Sequence, residues 1–360
     1  MKEKTRIYAL DVARSFAIFC VVICHVTENI FSIDQVSLNA MGYPAKALPV
    51  VLMTIGTLGV PIFLYLTGFL LLSKTYDAAA ASRFYRTRFF QLVAVSMVWT
   101  VLWRLFRLMI SGGTLSPLMI WKDLLYASGP VFPQIWYMPM ILGLYLLIPF
   151  LANALHASET KWIGLVLAAG VAFAFVLPLW NAICECLGIP ALYSDFHYKM
   201  HTSFFLVYPV AAHLLRRKPN IQKLPRMLPA LVAAVSFAAI IAVQLCLLDR
   251  EFGEWIESVH YNDPILLVCT FALFLLLLRI SGEKTPEAMK HMFSSVSRCS
   301  FGIYLIHYTI IDAAAPWIQN HFSALPAYLL LTSITFGGSW LFVRLLSFHP
   351  LTRRYLFFIH

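Results

Sequence analysis

Charge is scarce in this sequence: Asp, Glu, Lys and Arg make up 12% of its 360 residues, about half the share usual in a soluble domain. Acidic residues are the scarcer sign, 17 against 27 basic ones. The cysteines number seven, an odd count with no pair of C-x-x-C motifs, and Cys20, Cys24, Cys246 and Cys269 sit inside apolar runs. A disulfide framework and a zinc or other metal site are therefore not expected. Cys184 and Cys186 fall in an expected outer loop and receive no role. There is no internal repeat, no low-complexity stretch and no linker rich in Pro, Gly or Ser, so one membrane domain over 1–360 is the simplest organisation. Soluble enzyme, secreted toxin and disordered regulator are all excluded.

What fills the sequence instead is apolar: 60% of the residues are hydrophobic. They come in runs of about 20, each long enough to cross a hydrocarbon core of about 30 Å as a helix. The fold expected is an all-α, polytopic helix bundle. Its ten spans lie near 10–31, 47–72, 88–110, 133–154, 162–180, 200–215, 228–248, 264–280, 297–315 and 324–346. The N-terminal stretch opens with basic residues like a signal peptide. It then carries Asp11, Arg14 and His25 and reaches about Phe31 with no small-residue cleavage site, so it is a retained first span. No appended soluble domain is expected before the chain ends at His360.

The net charge of +10 suggests nucleic acid until the positions are read. Lys2, Lys4 and Arg6, then Lys74, Arg83, Arg86 and Arg88, then Lys161, all fall on one side of a ten-span threading. The same side takes Arg216, Arg217, Lys218, Lys223 and Arg226, then Arg279, Lys284, Lys290 and Arg298, then Arg344, Arg353 and Arg354. The other side holds only Lys46, Lys122, Lys199 and Arg250. That asymmetry is the positive-inside rule with both termini cytoplasmic, and it leaves no basic excess for nucleic acid. A multi-pass protein of the plasma membrane, with lipid as its surroundings, is the expectation.

Ionisable groups inside a span cost about 2.5–3.5 kcal/mol each on insertion scales and face the bundle interior or water. In the first span Asp11, Arg14 and His25 share a face. The eleven steps from Arg14 to His25 close three turns with about 20° of drift and rise about 16 Å, and Glu28 and Asn29 extend the stripe outward. A neutral imidazole there suits acid/base chemistry or proton transport. The structural alternative is an ion pair of Asp11 with Arg14 at i, i+3, and a histidine bonded to a neighbouring helix. A cytoplasmic cluster, Arg83, Arg86 and Arg88, precedes the third span. Read as a helix start, it would offer guanidinium groups and free amides to phosphates, while ordinary topological anchoring explains it equally. Tyr304 and His307 stand at i, i+3 in a third cluster, for which interhelical hydrogen bonding is the alternative. Arg104 and Arg107, at the outer end of the third span, either snorkel or hold an anionic acceptor.

Four segments together resemble acyltransferase family 3, the integral-membrane acyltransferases that include O-acetyltransferases of bacterial surface polysaccharides. Leu10-Asp-Val-Ala-Arg14, followed after ten residues by His25, is similar to the family's Arg-x10-His signature. Pro61-Ile-Phe-Leu-Tyr-Leu-Thr67-Gly68-Phe-Leu-Leu resembles its second-helix Ser-Gly-Phe-Leu motif, with Thr67 in place of Ser. Arg83 and Arg86 match its cytoplasmic Arg-x-x-Arg, and Ser300-Phe-Gly-Ile-Tyr304-Leu-Ile-His307 its Tyr-Leu-x-His.

The resemblance implies a ten-helix bundle of a bacterial inner membrane that takes an acyl group, acetyl above all, from cytoplasmic acyl-CoA to a glycan or lipid-linked glycan. It implies His25 as general base, Arg14 lining its surroundings, and Tyr304 and His307 positioning the acyl carbonyl or acceptor. Arg83, Arg86 and Arg88 would bind the CoA phosphates. A separate envelope transferase may complete delivery, because many family members carry an extra domain that this sequence lacks. The rival is a proton-coupled transporter or flippase using the Asp11, Arg14, His25 and Glu28 wall, although the sequence shows no inverted repeat or paired broken helices.

Overall fold

The computed structural model describes residues 7–359 apart from 32, 34–36, 39, 43, 113, 115, 128–131, 191, 193–203 and 250–260. Helix is the only regular structure among the described residues, as an apolar solvent requires when every backbone N–H and C=O must be satisfied within the segment. Each of the ten expected spans coincides with a helix. Eight are long and apolar enough to cross a membrane: Tyr8–Phe31, Ala47–Leu72, Ala78–Ser111, Pro133–Ala157, Thr160–Asn181, Met227–Cys246, Glu287–His321 and Ala324–Leu346. The other two are the shorter helices Val207–Arg217 and Pro264–Leu277. The first positions of the sixth expected span, 200–203, lie outside the described residues.

The helix bounds depart from the apolar windows where polar ends are stabilised locally. The third helix starts at Ala78 rather than 88, because the Asp77 side chain accepts a hydrogen bond from the Ala80 N–H at 2.7 Å and caps it. The ninth begins at Glu287, whose carboxylate pairs with Lys290 at 2.7 Å. The loop expected around Cys184 is instead the helix Leu177–Leu187, with Cys184 buried. Gly188, at φ +67°, ends that helix in the left-handed conformation that a glycine adopts without strain. Hydropathy missed about two turns of helix beyond residue 180 because Asn181 and Glu185 lower the local average.

The chain divides into two compact units, Met1–Lys74 with Ala152–Ser297, and Thr75–Leu151 with Arg298–His360. In the first unit α1 (Tyr8–Phe31) and α2 (Ala47–Leu72) meet backbone to backbone. A Cβ on Gly56 would stand 2.6 Å from Cys24 Cα, and one on Gly59 2.6 Å from the Ala17 carbonyl oxygen. Small residues at these two positions are what permit the approach, in a solvent where packing and not water release holds helices together. Gly68 does the same against the Pro209 backbone, where a Cβ would meet the carbonyl oxygen at 2.1 Å. The Tyr65 ring, fully buried, stacks on Phe274 with centroids 5.3 Å apart, and its hydroxyl donates to the Leu267 carbonyl at 3.2 Å.

Several basic residues of this unit tie down helix ends. Arg216 donates to the Phe69 carbonyl at 2.9 Å, Arg217 to the Leu155 and Ser158 carbonyls at 3.0 Å, and Arg279 to the Leu224 carbonyl at 2.8 Å.

In the second unit the indoles of Trp99 and Trp103 donate to the carbonyls of Leu356 and Leu305 at 2.6 and 2.9 Å. Arg104 grips Asp123 with two bonds of 2.6 and 2.8 Å, and Arg107 reaches Asp312 at 2.5 Å. These carboxylates already occupy the two arginines that the sequence left open to an anionic acceptor, and Asp123 is itself buried.

Replacing Gly56 with Val should lower the unfolding temperature of the purified protein, by the equivalent of about 1–3 kcal/mol, the range for forcing extra carbon into a packed contact. Gly143→Ala, where an added Cβ meets nothing within 4 Å, should leave it unchanged or raise it. Thermal unfolding in detergent checks both, and equal behaviour of the two variants would refute the close approach.

Candidate functional site

The site residues expected from sequence fall in both units: Asp11, Arg14 and His25 in the first, Arg83, Arg86, Arg88, Tyr304 and His307 in the second. Each group has its own geometry.

Along α1 the polar wall is real and mostly buried. Asp11 and His25 are 4% and 8% exposed in a helix that crosses the apolar region. At its inner end Ser297 links the two charges: Arg14 donates to Ser297 Oγ at 3.0 Å, and Ser297 donates to Asp11 Oδ1 at 2.8 Å. The serine thus extends the i, i+3 pair into a network of two helices and ties the guanidinium to a fixed position. Arg14 enters the site as part of this anchor.

At the outer end His25 Nδ1 lies 2.7 Å from Glu28 Oε2, one helical turn along the same helix. A carboxylate only accepts, so this bond places the ring proton on Nδ1 and leaves Nε2 with the lone pair. Cys24 Sγ is 3.7 Å from Glu28 Oε1 and 3.7 Å from Met53 Sδ. Gly56 lets α2 touch the backbone of Cys24, the residue before His25. The Cys24, His25 and Glu28 donor atoms lie within 4.8 Å of one another, so this group is where a metal ion would find three ligands. C-x-x-C pairs are absent from the sequence, and a single thiol beside a histidine and a glutamate is a ligand set that C-x-x-C spacing does not reveal. Glu28 was legible as part of the stripe; its i, i+3 spacing to His25 was the signal for a partner.

The arginine cluster is not a helix start. Its helix begins at Ala78, a turn and more before the arginines, and Asp77 takes the Ala80 amide there, so the cluster offers side chains only. Arg83 is in the α-helical turn and Arg86 and Arg88 in the wider π-helical turn Tyr85–Phe89. The Arg83 and Arg86 guanidinium groups are exposed and bond to none of the described residues, unlike Arg216, Arg217 and Arg279. Nearby, burial pushes the Tyr76 phenol up to about 12, against the pull of Arg88, so it stays a protonated donor at neutral pH. The cluster is therefore a set of uncommitted cations at the end of a helix, suited to a polyanion.

Tyr304 and His307 are both buried on the helix Glu287–His321. Tyr304 donates its hydroxyl to the Gln134 carbonyl at 2.8 Å. His307 Nδ1 lies 2.7 Å from the Tyr304 carbonyl, which again requires the proton on Nδ1. The Tyr304 bond to the Gln134 carbonyl is hydrogen bonding to another segment, the alternative that the sequence left open for this cluster, with Gln134 as the partner the sequence did not name.

A family model described as an acyltransferase domain matches residues 7–344. No curated protein and no solved structure gives a significant match. The matched segment takes in the α1 wall, the arginine cluster and the Tyr304–His307 pair, and the helices that carry them are long and apolar enough to span a bilayer. The chain belongs to the family 3 acyltransferases, as a multi-pass membrane member of it.

Proposed function

We propose that this protein is a membrane O-acyltransferase of the bacterial plasma membrane. It moves an acyl group, acetyl by preference, from cytoplasmic acyl-CoA to a hydroxyl of a surface glycan or lipid-linked glycan. The observation that carries the reading is the Glu28–His25 pair, 2.7 Å apart on a buried wall of a family 3 acyltransferase. An imidazole whose Nδ1–H is held by a carboxylate has its basic Nε2 aimed away from that carboxylate, and gains stabilisation when it becomes imidazolium.

The chemistry follows from that arrangement. His25 Nε2 takes the proton of the acceptor hydroxyl as its oxygen attacks the thioester carbonyl. The C–S bond breaks, the sulfur leaves, and His25 returns the proton to it, so that ester and CoA thiol are the products. Glu28 fixes the tautomer and the ring orientation throughout. Exposed Arg83 and Arg86, with Arg88, bind the phosphates of the donor from the side that the basic residues mark as cytoplasmic. Arg14, bridged to Asp11 through Ser297, holds the inner end of the wall. Tyr304 and His307 position the acyl carbonyl or the acceptor. A separate envelope protein completing delivery is compatible with this scheme.

Three outcomes test it. His25→Ala, at equal membrane levels, should abolish an acyl mass on surface or lipid-linked glycans and slow transfer by about 10²–10⁴, the usual worth of a general base. Full turnover in that variant would remove the proposed base. Glu28→Gln should lower kcat with little change in the KM for acyl-CoA and should alter the pH–rate profile, because the neutral amide no longer stabilises the imidazolium; an unchanged profile would show that Glu28 is only structural. Neutralising Arg83 and Arg86 together should raise the KM for acyl-CoA about tenfold or more, as loss of charge-assisted phosphate bonds implies. A donor dependence equal to wild type would leave them as topology anchors.

A further inference from the structure

Among the described residues, the buried polar atoms without a hydrogen-bond partner include Nε2 of His307, both ring nitrogens of His213 and both ends of the Gln134 amide, and Gln134 is the side-chain amide left dry at both ends. Asn181 uses both ends of its amide on the Leu192 backbone, and Gln244 accepts from Thr54 at 3.1 Å. Gln91 is satisfied at one end, its Nε2 donating to the Arg354 carbonyl at 2.6 Å while its Oε1 has no partner. Gln134 is 1% exposed, and neither its Oε1 nor its Nε2 has a hydrogen-bond partner among the described residues. Leaving both ends of an amide dry is costly, and a sequence retains such a group against an apolar replacement when something else bonds to it.

The backbone around Gln134 is pinned, so the side chain is presented and not simply loose. It sits in the tight turn Pro133–Trp136, whose first residue is a proline of fixed φ, and Ile135 N–H bonds back to the Phe132 carbonyl at 3.1 Å. Its own carbonyl accepts the Tyr304 hydroxyl at 2.8 Å, and the Tyr137 ring stands 5.3 Å from that of Tyr304. Gln134 thus belongs to the same cluster as Tyr304 and His307.

We infer that the Gln134 side chain binds a secondary amide of a substrate, edge to edge. The reasoning is one of complementarity. A primary amide offers donor and acceptor side by side, so its match is a group with acceptor and donor side by side. A phosphate, carboxylate or thioester has no donor, and would leave Oε1 dry. A ligand amide satisfies both ends: its N–H donates to Oε1 and its C=O accepts from Nε2. This inference rests on the transferase reading for where such an amide comes from. The pantetheine arm of the donor carries secondary amides, and so does an N-acetylated sugar of the acceptor.

The test uses the full-length protein in lipid nanodiscs, wild type and Gln134→Met, with pantetheine, N-acetylglucosamine and, as an amide-free control, glucose. Without ligand, Gln134→Met should unfold at the same or a higher temperature, since an apolar side chain of similar size removes the dry amide. By titration calorimetry at millimolar concentration, one amide probe should bind wild type and bind Gln134→Met about tenfold more weakly or worse, the effect of leaving one hydrogen-bonding group unmatched. Glucose should not distinguish the two proteins. The probe that responds names the source of the amide. A lower unfolding temperature, no binding of either probe to wild type, or undiminished binding to Gln134→Met would each overturn the inference. His25-dependent release of CoA is read separately: its absence with amide binding retained removes the transferase chemistry and leaves the subsite.

Discussion

A hydrocarbon interior offers no hydrogen bonds, and this protein is organised by that shortage. Backbone groups are satisfied inside helices, so the described chain is helix and connection only. Side chains that must hydrogen-bond find carbonyls: Trp99, Trp103, Tyr65 and Tyr304 all donate to main-chain oxygens. Charges find opposite charges or a relay, as Arg104 does with Asp123 and as Arg14 does with Asp11 through Ser297. Among the described residues, the exposed Arg83 and Arg86 and the dry amide of Gln134 are groups that this shortage leaves uncommitted.

Helix proximity is the second half of the same physics. With no water to expel between helices in lipid, close packing depends on surfaces small enough to touch, and Gly56, Gly59 and Gly68 supply them. Gly56 meets the backbone of Cys24, the residue next to His25. The imidazole is oriented by Glu28 on its own helix, and the backbone one residue before it is held close to α2 by a missing side chain. Such preorganisation would serve the general-base role proposed for His25, since a ring that must search for its orientation spends rate on the search.

The two sets of arginines separate along the same line. Arg216, Arg217 and Arg279 cover helix-end carbonyls and give the positive-inside asymmetry a structural use. Arg83 and Arg86 hold none of the described residues. Composition counts all five alike, and only their partners distinguish the anchors from the uncommitted pair.

Much of this was legible in the residues themselves. The helical class and the places of the spans follow from apolar run length, because a bilayer of fixed thickness leaves few alternatives. The alignment of Asp11, Arg14 and His25 follows from 3.6 residues per turn, and four spaced motifs pointed to the family that the match over residues 7–344 establishes. What sequence did not carry is every relation that depends on a second segment. Ser297 as the link between Asp11 and Arg14, Asp123 and Asp312 as the partners of Arg104 and Arg107, and Met53 beside Cys24 are separated in the chain by up to 286 residues. Helix ends also escaped hydropathy, because the Asp77 cap and Gly188 act through single hydrogen bonds and one backbone angle. Periodicity and length are properties of one segment in one solvent, so sequence determines them; hydrogen-bond partners are a property of packing, and only the tertiary structure decided those.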